Sequence, residues 1–315
     1  MNTYESGSKA WKWFMAAGIA AMVAGCGGGS GSGNPAPAGA SGGAGTAGGG
    51  GASSGSVNPG PAGAAPALGA AASFGAFGGA AGMSNRGTQT LITGAQGQPV
   101  SIGSTGASTL MTGFHSNTSG CIYTETPLNI GGVNGPLNTA APPPPCGAEG
   151  NATTFAAAEA AAGAALDAFN NLKARPGATD PGANLGGLTL TPGVYASAGG
   201  ALQITGSDIM LDAGGNADAV WVFQMASTLT VGAPGAPRTV ILSGGAQAKN
   251  VFWQVGSSAT INAAGGGSMV GTIISSAATT FSTAGNPCCT TLEGRALALN
   301  ASVTMVNTVI NVPAP

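Results

Sequence analysis

The sequence is poor in charge. Only 6% of its 315 residues are Asp, Glu, Lys or Arg, whereas about 25% is usual for a soluble domain. The formal net charge is −2, so the chain offers neither a basic surface for nucleic acid nor a polybasic segment for an anionic membrane. We therefore expect no nucleic-acid partner.

Side chains that perform acid-base, nucleophilic or metal chemistry are also scarce. His115 is the only histidine and the cysteines lack the spacing of a zinc site, so we expect no metal and no cofactor. An enzyme acting on polysaccharide would need clustered charged groups. Asp208 and Asp212 can share one face of a strand, but a corner between strands has the same pattern. We predict no catalytic residues and no enzymatic activity.

The first 26 residues are typical of a bacterial export signal. Lys9 and Lys12 precede an apolar stretch, residues 13–23, that is too short to span a bilayer. The tetrapeptide Val23-Ala24-Gly25-Cys26 resembles the lipobox of bacterial lipoproteins, which implies removal of residues 1–25 and a lipid anchor on Cys26. An ordinary signal peptide with a chance cysteine is the alternative. Gly27 stands where an inner-membrane retention signal has Asp, which implies the outer membrane or cell surface.

Large side chains are almost missing from residues 26–66, which consist mainly of Gly, Ser, Ala and Pro. Such a segment cannot bury enough apolar surface to offset the entropy of ordering it. We predict a flexible tether over 26–66 and a folded domain over 67–315, with residues 74–115 as its first turns.

A short phrase recurs four times in the last third of the chain. Its copies are Thr228-Leu229-Thr230-Val231, Ser258-Ala259-Thr260-Ile261, Ala278-Thr279-Thr280-Phe281 and Ser302-Val303-Thr304-Met305. Short β-like phrases that recur at 20 to 30 residues between Gly clusters are typical of a solenoid, in which each turn packs only on its neighbours. The sequence therefore predicts a fold dominated by β-strands.

The alternation within the phrase predicts two faces. Because successive side chains of a strand point to opposite sides, the last residue of each copy and the residue two before it lie on the same side, which is almost wholly apolar and is predicted to form the core. These residues are Val231, Ile261, Phe281 and Met305, with Leu229, Ala259, Thr279 and Val303. The opposite side carries two ranks. The first, here called the serine rank, is Thr228, Ser258, Ala278 and Ser302; the second, the threonine rank, is Thr230, Thr260, Thr280 and Thr304. Thr is also an ordinary β-branched residue on a solvated strand, so the threonine rank alone does not require a ligand.

Residues 152–173 are predicted to form a long α-helix. Ala and Leu are strong helix formers, and apolar residues at steps of three or four define one face. That predicted face comprises Phe155, Ala158, Ala162, Leu166, Phe169 and Leu172. Asn151, Thr153 or Thr154 can cap the helix, and Pro176 with Gly177 follows its end. We expect the helix to cover an apolar flank of the solenoid.

The remaining four cysteines fit an oxidising compartment. Cys121 and Cys146 flank a Pro-rich stretch within residues 117–150, which we interpret as an inserted loop or cap closed by a disulfide between them. Cys288 and Cys289 are adjacent. They can form a vicinal disulfide, pair with the other two, or remain buried thiols.

Four segments are similar to the microbial ice-binding protein family. They are Leu188-Thr189-Leu190-Thr191-Pro192-Gly193-Val194-Tyr195, Ala219-Val220-Trp221-Val222-Phe223-Gln224, Asn250-Val251-Phe252-Trp253-Gln254-Val255-Gly256-Ser257-Ser258-Ala259-Thr260 and Gly294-Arg295-Ala296-Leu297-Ala298. The resemblance covers residues 67–313. It implies a discontinuous right-handed β-solenoid of roughly triangular cross-section with one long α-helix alongside.

This resemblance makes an ice crystal surface the first candidate partner. The expected ice-binding residues are Thr228, Thr230, Ser258, Thr260, Asn262, Thr280, Ser282, Ser302 and Thr304. We expect a monomer displayed at the cell surface, with antifreeze activity or inhibition of ice recrystallisation. The alternative is a non-catalytic adhesin or structural solenoid that binds polysaccharide or another cell.

Overall fold

The computed structural model describes residues 60–263, 265–282 and 288–314. They belong to a unit that spans residues 54–315. Within the described residues the chain forms 23 strands, one α-helix and four 3-10 helices. The predicted signal peptide 1–25, the lipidation site Cys26 and the tether up to residue 59 lie outside the described residues.

The strands are short, as expected for turns separated by Gly-rich corners. In chain order they are β1 (Phe74–Gly78), β2 (Met83–Asn85), β3 (Thr90–Gly94), β4 (Ser101–Ala107), β5 (Met111–Thr112), β6 (Phe114–Ser116), β7 (Ile122–Tyr123), β8 (Gly131–Val133), β9 (Leu137–Ala140), β10 (Thr189–Leu190), β11 (Gly193–Ala196), β12 (Leu202–Ile204), β13 (Ile209–Asp212), β14 (Trp221–Met225), β15 (Leu229–Val231), β16 (Val240–Ser243), β17 (Val251–Val255), β18 (Ala259–Ile261), β19 (Ser268–Ser275), β20 (Thr279–Phe281), β21 (Thr290–Ala298), β22 (Val303–Met305) and β23 (Thr308–Val312). The helix α1 is Ala152–Lys173, and the 3-10 helices are Gly69–Ser73, Ala95–Gly97, Ser108–Leu110 and Ala248–Asn250.

The strands form three sheets. Seven strands form one sheet in the order β12-β15-β18-β20-β22-β2-β5, and every pairing in it is parallel. A second sheet has 13 strands, with β11-β14-β17-β19-β21 at its start, and a third contains β10, β13 and β16. Equivalent strands of successive turns therefore lie side by side, as the repeat predicts.

The order of the turns differs from chain order. Strand β22, near the C-terminal end, pairs with β2, and β2 pairs with β5. Residues 74–115 therefore extend the stack beyond its C-terminal turns, and the prediction that they are its first turns was wrong. Strands β8 and β9 lie within residues 117–150, and they pair in parallel with β3 and β4. That segment is thus integrated into the sheet as well as forming a loop.

The interior of the stack is apolar. Leu229, Ala259, Thr279 and Val303, and the positions two residues after them, are all buried, so the predicted core face of the four phrases is confirmed. Three buried aromatic side chains on the neighbouring strands β11, β14 and β17 stack on one another. Rings of Tyr195 and Phe223 stack with centroids 5.5 Å apart, and those of Phe223 and Trp253 at 4.0 Å. The indole N–H groups of Trp221 and Trp253 donate to the carbonyls of Leu190 and Val270, which satisfies their only buried polar atoms.

Helix α1 spans the residues predicted for it and packs on the outer side of the 13-stranded sheet. Its buried stripe consists mainly of alanine, which permits close approach, and it faces Val194, Val222, Phe252, Ile274 and Leu297. The stripe is Thr154, Ala158, Ala161, Ala165, Ala168, Phe169 and Leu172. Leu166, predicted on the packed face, is 47% exposed. The alanine-rich stripe packs on the sheet instead of the predicted face, because small side chains fit between the helix and the large residues of the sheet.

Polar groups at both helix ends are satisfied by side chains. Asn151 Oδ1 accepts from the backbone N–H groups of Thr153 and Thr154, and Thr154 Oγ1 accepts from the backbone N–H of Asn151. At the other end, Gln224 Nε2 donates to the carbonyls of Leu172 and Arg175 at 2.7 and 2.9 Å. The glutamine thus ties the last turn of the helix to the sheet.

Replacing Asn151 by alanine should destabilise the protein by about 1 kcal/mol, because two helix N–H groups lose their acceptor. Urea denaturation followed by circular dichroism measures this difference. Thr153→Ala is the matched control, since Thr153 is exposed, its hydroxyl forms no hydrogen bond among the described residues, and its backbone N–H still donates to Asn151 in the variant. Equal stability of the two variants would contradict the capping role.

The folded body begins before residue 67. The side chain of Ala62 is buried, and Arg175 donates through its guanidinium to the carbonyls of Ala62 and Ala64. We call residues 60–73 the strap. The predicted boundary at residue 67 placed part of the strap in the tether. The Ala, Gly and Pro composition of the strap does not indicate that a distant arginine donates hydrogen bonds to its carbonyl groups.

The four cysteines of the described residues form two disulfides. Cys121 and Cys146 form a disulfide, as the sequence favoured, and Cys288 and Cys289 form the vicinal disulfide that was one of three open alternatives. Near the first of these, the buried Glu149 carboxylate accepts from Ser119 Oγ and Tyr123 Oη, each at 2.6 Å. Burial together with this carboxylate raises the pKa of Tyr123.

Candidate functional site

The outward surface of the seven-stranded sheet, here called the ladder face, carries the threonine rank in register. Thr230 pairs with Thr260, Thr260 with Thr280, and Thr280 with Thr304. Neighbouring strands in a sheet lie about 4.8 Å apart, so the four side chains repeat at that spacing. The register confirms the alignment that the phrase predicts.

The hydroxyl groups of the threonine rank are available to solvent. The four side chains are each partly exposed, between inward neighbours that are fully buried. Among the described residues none of the four hydroxyls has a hydrogen-bond partner in the protein. Each strand thus presents one free hydroxyl and one methyl group, while its flanking residues fix the backbone from inside.

The serine rank lies beside the threonine rank and is less uniform. Backbone N–H groups of Leu229, Ala259 and Thr279 donate to the carbonyls of Ser258, Ala278 and Ser302, which aligns these positions across the sheet. Thr228 is exposed, and Ser258, Ala278 and Ser302 are half-buried. Ala278 lacks a hydroxyl, so the polar pattern of this rank has a gap.

On the other side of the threonine rank, the predicted residues Asn262 and Ser282 differ from each other. Ser282 is half-buried, and its N–H donates to the carbonyl of Ile261. Asn262 is only 9% exposed, and its Nδ2 donates to the carbonyl of Gly232 at 3.4 Å. The Asn262 side chain therefore supports the corner of a turn and presents little surface to a ligand.

The structure extends the threonine rank at both ends. Gln203 pairs with Thr230 on one side, while Ser84 pairs with Thr304 and Thr112 on the other. The rank therefore runs over seven strands and contains no charged residue. Sequence reasoning missed these three positions. Their signal was present, since Leu202-Gln203-Ile204 and Met83-Ser84-Asn85 each have a polar residue between inward-facing ones, but their place in the stack does not follow chain order.

The two aspartates considered as candidate catalytic residues accept hydrogen bonds from backbone N–H groups. Asp208 Oδ1 accepts from the N–H of Thr239 at 2.8 Å, and Asp212 Oδ1 from that of Gly214 at 3.0 Å. In the described part of the chain, no three His, Cys, Asp or Glu side chains group as metal ligands do. The helix search likewise finds, over the same residues, no helix that is both long and apolar enough to cross a membrane.

These observations define a class of protein. It is a strand-dominated protein with one flanking helix, built from stacked parallel strands, whose seven-stranded sheet bears hydroxyl groups in register.

The chain belongs to the family described as ice-binding-like, which its residues 77–311 match. A relative named ice-binding protein, from Nostoc sp. (strain HG1), is 39% identical over 194 residues, which are 60% of this chain and 65% of the relative. The chain thus spans slightly less than two thirds of that relative's length.

Solved structures of ice-binding proteins have a similar fold. The crystal structure of an ice-binding protein from the Antarctic ascomycete Antarctomyces psychrotrophicus superposes with a TM-score of 0.60 at 29% identity, covering 80% of this chain and all of that one. A domain of Shewanella frigidimarina ice-binding protein 1 gives 0.61 at 22% identity over 81% and 98% of the two chains, and it supports the fold alone.

Proposed function

We propose that this protein binds ice through its ladder face. The contact consists of the threonine rank with its extensions Gln203, Ser84 and Thr112, flanked by Thr228, Ser258, Ser302 and Ser282. The observation that carries this proposal is the in-register pairing of Thr230, Thr260, Thr280 and Thr304. The family membership and the relatives named as ice-binding proteins support it.

The physical argument concerns water at a regular surface. Side chains repeat at about 4.8 Å between strands and at roughly 6.6 Å along a strand, which is twice the rise per residue. These distances are close to repeats of the ice lattice. Because the hydroxyls are free and the methyl groups lie beside them, water over this face can form an ordered layer that joins a crystal plane. A charge would hold water in a different arrangement, and the rank has none.

The same proposal includes the finer organisation of the protein. We infer a right-handed solenoid of roughly triangular cross-section, with the helix on one side and the ladder face on another. A lipid on Cys26 would hold the protein in the membrane, and residues 27–59 would separate the folded body from it at the cell surface. The body would act as a monomer without catalytic activity.

Ice binding is tested by measuring thermal hysteresis and inhibition of ice recrystallisation, with crystal shape recorded. We expect a freezing-point gap, faceted crystals and arrest of grain growth. Circular dichroism at the assay temperature must show folded protein. Round crystals and normal grain growth from that folded protein would refute ice binding, and a polysaccharide or cell-surface adhesin would then be the better account.

A further inference from the structure

Arg295 is a buried cation without an anion. It lies on β21 and is 5% exposed. Its Nε and Nη2 donate to the carbonyl of Ala72 in the strap at 3.1 and 2.9 Å. Within the described residues no carboxylate lies at ion-pair distance from it, and its Nη1 has no hydrogen-bond partner. Burial lowers the pKa of Arg295 to about 10.

Burying an ion is costly unless an opposite charge or several hydrogen bonds compensate for it. One carbonyl oxygen compensates Arg295 only in part, because a guanidinium has five N–H donors in a planar fork. The N–H donors of Nη1 therefore remain available to water or to a ligand.

A cavity adjoins the guanidinium. It has a volume of about 260 Å³, and its lining includes Pro66, Leu68, Ala72, Lys249, Phe252 and Arg295. Apolar surface predominates, and among the described residues of the lining Lys249 and Arg295 are the charged ones. The cavity is smaller than the pockets of about 300–1,000 Å³ that hold drug-sized ligands. A cavity with a buried cation and mostly apolar walls favours a small molecule that carries an anionic group and an apolar tail.

A second unsatisfied group lies beside the cavity. Thr272 pairs with Phe252 on one neighbouring strand and with Arg295 on the other, so it stands between two residues of the lining. Its side chain is 1% exposed, and its Oγ1 is buried without a hydrogen-bond partner among the described residues. A buried hydroxyl without a partner costs about 1–3 kcal/mol. Two neighbouring donors therefore lack an acceptor in the same part of the structure.

We propose that this cavity, between the strap and the 13-stranded sheet, binds a small carboxylate with an apolar tail. The carboxylate accepts from Nη1 of the Arg295 guanidinium, and Thr272 lies next to Arg295 on the adjacent strand. Lys249 adds a second positive charge at the lining. The tail lies against Leu68, Phe252 and Pro66. This site is separate from the ladder face and does not depend on ice binding.

Isothermal titration calorimetry of the full chain with three probes tests the site. Octanoate supplies both the anion and the tail, acetate only the anion, and 1-octanol only the tail. We expect octanoate to bind, and acetate and 1-octanol to bind at least about tenfold more weakly, because a hydrogen bond to a charged group and burial of the tail each contribute about 1.4 kcal/mol or more. Octanoate should also raise the melting temperature.

Two variants connect the binding to this cavity. Arg295→Gln should weaken octanoate binding at least about tenfold and leave binding of 1-octanol unchanged, with Arg86→Gln, which removes an exposed cation, as the matched control. Leu68→Trp fills the cavity from the strap and leaves Arg295 unchanged. Loss of octanoate binding in this variant tests the site even if Arg295→Gln does not fold. Equal binding of octanoate and 1-octanol, equal binding of acetate and octanoate, or unchanged binding by Leu68→Trp would each overturn the proposal.

Discussion

Replacing both Thr260 and Thr280 by tyrosine should remove most of the thermal hysteresis while leaving the protein folded. The two residues occupy neighbouring strands in the centre of the threonine rank. Each tyrosine ring projects beyond the plane of the hydroxyl and methyl groups, so an ice plane can no longer approach the residues around it. Both side chains are outward and partly exposed, so we expect stability to change by about 0.5 kcal/mol or less.

The matched control places the same change on another sheet. Thr189 is exposed on β10, in the three-stranded sheet, and Thr189→Tyr should retain full hysteresis and crystal shaping. The comparison separates the ladder face from a general effect of added rings. Full activity in the double variant together with loss in Thr189→Tyr would move the ice contact to the three-stranded sheet.

Local patterns in the sequence predicted the parts of the fold that depend on local physics. The alternation in Ser258-Ala259-Thr260-Ile261 settled which side chains face inward, because a strand has only two sides. The boundaries of α1 followed from its alanine content, from the candidate caps Asn151, Thr153 and Thr154, and from the Pro and Gly after it. The threonine rank followed from the repeat itself, since stacked turns bring equivalent positions together.

Contacts between distant segments were beyond such reasoning. Ser84 and Thr112 join the rank only because β2 pairs with β22, and no local pattern specifies that the chain's early strands add to its last turns. Leu166 was assigned to the packed face by periodicity, whereas the fit of small alanines against Phe252 and its neighbours decided the orientation. Arg295 is covered by the strap, and its partner Ala72 is 223 residues away in sequence, so no local pattern indicates that this cation is buried.

Replacing Trp253 by alanine should cost about 3–5 kcal/mol of unfolding free energy, which is the largest loss we expect from one substitution. The indole is fully buried, stacks on Phe223 at 4.0 Å and donates to the carbonyl of Val270 at 2.8 Å. Alanine leaves a cavity in the middle of the stack and a carbonyl without its donor. Urea denaturation at low temperature measures the loss, with Trp253→Phe as a control that keeps an aromatic ring and should lose much less.

The same variant tests what sets the spacing of the hydroxyl groups on the ladder face. Trp253 lies on β17, and Thr260 lies on β18 in the same turn. Parallel backbone pairing on both sides of β18 fixes the register of Thr260 independently of the indole. We therefore expect the folded fraction of Trp253→Ala to shape ice as the parent protein does, with activity falling only as the protein unfolds. Loss of crystal shaping while circular dichroism still reports folded protein would instead show that packing of the interior, as well as strand pairing, sets the spacing of the hydroxyl groups.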